Sequence, residues 1–125
     1  MGFGEAIQTC LAKYATFRGR ASRSEYWWFY LFFLLVLTAT AVVDMALLGY
    51  DPANPSAVPW LSVVGLLALF LPSLAAAIRR LHDTDKSGWW YLLTFVPVVG
   101  GIVLLIFLLL RGTAGSNRFG PDPLA

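Results

Sequence analysis

Three long apolar stretches, 26–48, 60–78 and 89–110, constrain this chain more than any other feature of it. Each is close to the ~20 residues that a helix needs to cross a bilayer. Among nine Lys and Arg and seven Asp and Glu residues, only Asp44 lies within one of the three. Lipid sorts charge in this way, because a charge in hydrocarbon costs several kcal/mol. The rest of the composition agrees: 58% of the 125 residues are hydrophobic and the mean hydropathy is +0.70. Soluble domains use ~45–50% apolar residues, and one this small has too little polar surface to cover the excess. The sequence therefore predicts a single all-α integral membrane domain.

Residues 3–17 place Phe3, Ile7, Leu11 and Tyr14 at helical steps with Cys10 beside them, a stripe too short and too polar to span. Residues 1–21 are expected to form an amphipathic surface helix and a basic cluster, with packing against a soluble partner as the competing role. The first apolar run is too long for the core of a secretory signal and is expected to stay as an anchor. Ser22-Arg23-Ser24-Glu25 fits a capping box, in which Ser22 accepts from the Glu25 amide and the Glu25 carboxylate reaches back. Tyr26, Trp27, Trp28 and Tyr30 follow as an interfacial aromatic belt.

The first span is predicted over 26–48, ending in the turn-rich Gly49-Tyr50-Asp51-Pro52. The second is predicted over 60–78, with Pro72 inside it. Membrane helices tolerate such a proline when a neighbour satisfies the freed carbonyl. Ser73, Ala75, Ala76 and Ala77 make its lower half slim enough for close helix contact. A polar connector, 79–88, leads to the third run, 89–110, which Pro97, Gly100 and Gly101 interrupt. Either a kinked helix crosses there or two short halves form a re-entrant hairpin; the length favours one crossing. The Gly- and Pro-rich tail, 111–125, is expected to be irregular.

Basic residues orient the whole. Lys13, Arg18, Arg20 and Arg23 precede the first span, Arg79, Arg80 and Lys86 follow the second, and the 49–59 connector has none. Positive-inside counting puts the N-terminus and the 79–88 connector in the cytoplasm. Arg111 and Arg118 in the tail then argue mildly against a crossing third run.

Few residues propose chemistry. Asp44 sits ~27 Å beyond Tyr26, near the far interface, where an ion pair with Arg111 is available if the third run crosses. The cluster Arg79, Arg80, His82, Asp83 and Asp85 admits three roles: plain helix-end and loop architecture, contact with anionic lipid together with Arg18, Arg20 and Arg23, or a divalent metal site. One His and two nearby acids have no spacing that forces convergence, so no metal and no cofactor is expected. Cys10, as the sole cysteine, excludes an intrachain disulfide and reads as a small apolar residue on a helix face. Gly112-Thr113-Ala114-Gly115-Ser116 lacks the Lys-Ser/Thr of a phosphate loop. His82 is the only histidine, and no nucleophile pairs with it, so an enzyme is not expected. A net charge of +2 without a basic stripe argues against nucleic acid.

FRGRASRSEYWWF, RRLHDTDKSGWW and GSNRFGPDP, in this order, resemble the bacterial inner-membrane family known as domain of unknown function 805. The resemblance covers nearly the whole chain. It implies a protein of the bacterial cytoplasmic membrane with several transmembrane helices, and it supplies no activity. The residues that carry it are Arg18, Arg20, Arg23, Glu25, Arg79, Arg80, His82, Asp83, Gly88, Trp89, Asn117, Gly120 and Pro121.

Two functional classes follow. One is a non-enzymatic structural or interaction protein whose basic cytoplasmic rim meets anionic lipid or a membrane partner. The other is a small transport or channel subunit, which requires a homo-oligomer built through the small residues of the second span and Gly100-Gly101.

Overall fold

The computed structural model describes residues 2–124 and contains α1 (Phe3–Ala12), α2 (Arg23–Ala46), α3 (Trp60–Asp83), a 3-10 helix (Gly88–Phe95) and α4 (Val99–Leu109). Two of these, α2 and α3, are long and apolar enough to cross a membrane. At 24 residues each they extend about 36 Å. They pack as an antiparallel hairpin: Asp44 meets Leu61 and Ser62 at one end, and Glu25 meets Arg79 at the other. Their outer faces expose Leu35, Val42, Val64, Leu67 and Phe70, each more than half accessible. Water would not tolerate such a belt on so small a protein, and lipid does.

Both long helices exceed their predicted limits at the polar end. Ser22 caps α2, its hydroxyl accepting from the Glu25 amide at 3.3 Å. The reciprocal half of the box does not form, because the Glu25 carboxylate pairs with Arg79 across the hairpin instead. The second span does not stop at residue 78: α3 continues through Asp83, so Arg79, Arg80, His82 and Asp83 are helical and buried and do not belong to a connector. At Pro72 the missing amide leaves the Ala68 carbonyl without its intrahelical donor. The Tyr14 hydroxyl donates to that carbonyl.

Tyr14 lies outside α1, which ends at Ala12 rather than continuing to residue 17. A Thr16-to-Lys13 turn and Gly19, at φ +88°, bend the chain so that the Ala21 amide reaches the Arg79 carbonyl. Packing of α1 also departs from the predicted stripe. Its small residues Ala6 and Cys10 are buried against the hairpin, while Phe3, Leu11 and Tyr14 stay more than a third exposed. Phe3 contacts Trp28 edge-on at 5.6 Å and Phe32 at 6.5 Å.

The third apolar run is not one continuous helix. Its 3-10 helix and α4 each extend about 16 Å, roughly half of a ~30 Å hydrocarbon core. They fold back on each other, with Trp90 edge-on to Phe107 at 5.5 Å. Val98 makes the turn at φ +61° and ψ −65°, its neighbours closing a Val99-to-Pro97 bond of 2.7 Å. That γ-turn is strained for a β-branched residue. Glycine is required next to it: a Cβ on Gly100 would collide with the Leu93 carbonyl and the Val96 side chain.

Ala75, Ala76 and Ala77 are fully buried within the chain. The slim half of α3 therefore serves packing within the chain.

Candidate functional site

The end of the hairpin that carries the N-terminus of α2 and the C-terminus of α3 gathers five buried charged residues. Arg20, Glu25, Arg79, Arg80 and Asp83 are each at most 5% exposed. Arg79 Nη1 lies 2.5 Å from Glu25 Oε2. Asp83 divides its carboxylate, Oδ1 meeting Arg20 Nε at 2.9 Å and Oδ2 meeting Arg80 Nη1 at 2.7 Å. Three guanidiniums therefore face two carboxylates. Backbone carbonyls offset the remaining positive charge, since burying it uncompensated would cost several kcal/mol.

Those carbonyls come from segments far away in sequence. Arg80 Nε donates to Leu108 O at 3.0 Å, and its Nη2 donates to Leu110 O, so Arg80 caps the negative end of α4. Trp27 Nε1 donates to the same Leu108 carbonyl at 3.2 Å. Arg20 donates to the Thr113, Gly115 and Gly120 carbonyls of the tail. The Thr113 amide donates in turn to Asp83 O at 2.7 Å. Gly112 passes so close to Asp83 that a Cβ there would overlap the carboxylate.

The tail forms neither helix nor strand among its described residues, as its Gly and Pro content implies, yet these bonds dock it to the end of the hairpin. Asn117 and Gly120 exchange two backbone bonds of 3.0 and 3.1 Å. Asn117 Nδ2 donates to His82 O at 2.9 Å, and the Phe119 ring stacks flat on His82 at 4.0 Å. His82 Nδ1 lies 3.0 Å from Gly19 O, which places the ring proton on Nδ1. Asp122 accepts from the Gly115 and Leu124 amides, and those bonds hold its carboxyl below the usual carboxylate range.

Of the predicted rim residues, Arg20, Arg79 and Arg80 thus face inward, bonded to the protein, and do not present a lipid-facing surface. Arg18 and Arg23 are exposed. Asp85 pairs with Arg118 at 3.3 Å on the surface. His82, Asp83 and Asp85 do not converge, and among the described residues no group of three or more His, Cys, Asp and Glu side chains is placed to hold a metal. The Asp44–Arg111 pair does not form. Asp44 accepts from the Leu61 and Ser62 amides and the Ser62 hydroxyl at 2.7–3.0 Å, capping α3 from outside. Arg111 follows α4 beside Asp83, some 21 residues or ~32 Å along α3 from Ser62. Cys10 Sγ lies 4.0 Å from Glu25 O, and burial pushes its thiol up to about 11, so it stays protonated and inert at neutral pH.

Sequence reasoning missed Glu25 as the partner of Arg79 and the tail as the partner of Arg20. The available signal was the joint presence of three polar motifs: the structure brings all three into one knot.

A pair of long apolar helices, locked at one end by buried ion pairs, defines a helical membrane protein. The family described as "Protein of unknown function (DUF805)" matches residues 14–121, and the chain belongs to that family. It is 51% identical to "Inner membrane protein YhaI" of Escherichia coli (strain K12) over 113 residues, covering 90% of each chain. It is 42% identical to "Inner membrane protein YhaH" of the same organism, covering 90% of this chain and 91% of that one. A more distant relative, "Uncharacterized protein YiiR", is 27% identical over 86% of this chain. No solved structure matches. Like its nearer relatives, this is an inner-membrane protein.

Proposed function

We propose that this chain is a non-enzymatic interaction protein of the bacterial inner membrane that crosses twice, carries both termini in the cytoplasm, and contacts anionic phospholipid through its cytoplasmic rim. The observation that carries this reading is the fold-back of the third run, which returns the tail to the end of the hairpin that holds the α2 N-terminus. Every Lys and Arg then lies at one end, and the 49–59 connector at the other holds none. That asymmetry is the positive-inside pattern, and it absorbs Arg111 and Arg118, which a crossing third run left unexplained. On this reading the 3-10 helix and α4 enter and leave the same leaflet, and α1 lies along its surface.

The rim is narrower than the sequence implied. Lys13, Arg18, Arg23 and Arg111 are exposed and have no carboxylate partner among the described residues. A surface of this kind attracts anionic headgroups by about 1 kcal/mol per basic residue. An oligomeric transport subunit has less support, since each buried charged side chain at the end of the hairpin is paired with an opposite charge. The test is to extract the protein from membranes of mixed phosphatidylglycerol and phosphatidylcholine and to measure the lipid that stays with it. Enrichment of phosphatidylglycerol over its bulk fraction supports the proposal; retained lipid of bulk composition refutes it.

A further inference from the structure

We propose that one phospholipid with an anionic headgroup occupies a defined site on this rim, its phosphate between Arg23 and Arg111 and one acyl chain along Trp27, Trp28 and Leu31. The inference rests on the membrane-rim reading above and assigns it a location. A cavity of about 220 Å³ opens where the start of α2 meets the end of the third run. Arg23 and Arg111 line it from opposite segments, and Ser22, Ser24 and Leu124 line it with them. Both arginines are exposed, and neither has an ion-pair partner among the described residues.

Asp83 also lines this cavity, and an acid would ordinarily repel an anion. Here both of its oxygens are taken by Arg20 and Arg80. Asp122, whose carboxyl feels both Arg20 and Arg111, is the other acid in reach among the described residues. Four guanidiniums (Arg20, Arg23, Arg80 and Arg111) therefore stand against two carboxylates, and the excess is positive. Guanidinium forks suit phosphate oxygens, and the Ser22–Ser24 hydroxyl pair, bonded to each other at 3.2 Å, retains one proton to donate to the remainder.

The second observation is independent of charge. A groove of about 230 Å³ adjoins the cavity and shares Ser24 with it, the rest of its lining being Trp27, Trp28 and Leu31. These residues follow Ser24 at steps of three, four and seven, which is one face of α2. The groove thus leads about 10 Å down the helix toward the hydrocarbon, from a polar mouth at its top. A free anion leaves that groove unexplained; a phosphate ester carrying an acyl chain fills both parts.

Native mass spectrometry of the full chain in mild detergent, titrated with phosphatidylglycerol or phosphatidylcholine, tests the site. Wild type is expected to retain one phosphatidylglycerol in preference to phosphatidylcholine. R23Q with R111Q should weaken retention about twenty-five-fold, taking about fivefold for each arginine. K13Q with R18Q removes the same charge elsewhere on the rim and should leave retention close to wild type. S24L blocks the junction of cavity and groove without changing charge, and should cause a loss comparable to the arginine pair. Equal losses in the two charge-removal pairs, or unchanged retention in S24L, overturn the site while leaving a diffuse basic rim standing. Wild type without preference for the anionic lipid sinks both readings. Displacement by glycerol 1-phosphate as effective as by phosphatidylglycerol overturns the acyl groove.

Discussion

Arg79 shows what burial does to a single charge. It is fully buried, its Nη1 is paired with Glu25, and its Nε has no partner among the described residues. Removing Glu25 alone therefore strands a guanidinium in the interior, which costs roughly 3–5 kcal/mol. Glu25→Gln is expected to lower the melting temperature sharply in detergent, and adding Arg79→Met should recover at least half of the loss. A double variant no better than the single one would mean that the pair is not the energetic unit. Asp122 gives a contrasting case at the surface. Two backbone amides hold its carboxyl below the ordinary range, so its contribution to tail docking is present above the unfolded-chain value near ~3.9 and is lost as pH falls through the lower folded value. The hydrogen-exchange protection factors of residues 113–120, taken against the intrinsic rate at each pH, should fall on acidification below about pH 4, and Asp122→Asn should flatten that dependence. Gly112→Ala tests the same docking sterically. Its methyl overlaps the Asp83 carboxylate, so proteolysis of the tail is expected to quicken.

Among the elements, α3 combines a proline with a donor from elsewhere. Pro72 frees the Ala68 carbonyl, and Tyr14 occupies it. Tyr14→Phe should destabilise the protein by about 1 kcal/mol, the typical net value of such a bond. In a Pro72→Ala background the backbone amide of residue 72 returns to Ala68, and the same Tyr14→Phe change is expected to cost almost nothing. Equal costs in both backgrounds would refute the coupling. The third run illustrates the opposite outcome, in which proline and glycine divide an element. Pro97 and Gly100 stand where the chain turns back, and the strained Val98 backbone between them is held by the packing of the two halves.

For the whole molecule, the decisive quantity is which end of the hairpin the tail reaches. Arg20, Arg80 and Asp83 bind the segment from Leu108 to Gly120, and that network fixes the tail beside the start of α2. A C-terminal reporter active only in the cytoplasm should therefore be active, as should one at the N-terminus, while a reporter inserted between residues 51 and 57 should be silent. An inactive C-terminal reporter beside an active N-terminal one would require the third run to cross and would dissolve the knot. The three polar motifs were visible in the sequence, yet their assembly was not. Their residues lie up to 100 positions apart, as with Arg20 and Gly120, and helical periodicity carries no information over that distance.

By itself the sequence determined the medium and the elements. Runs of apolar side chains that water cannot hydrate made α2 and α3 long and apolar enough to cross a membrane, and the Ser22 cap and the turn residues after 48 set limits close to the observed ones. Only the tertiary structure decided that the third run folds back, that the small residues of α3 are spent internally, and that most of the predicted basic rim is buried. The physical reason is common to all three. A buried guanidinium must find carboxylates and carbonyls wherever the chain can bring them, and that requirement is met by contacts between remote segments, which local pattern does not encode.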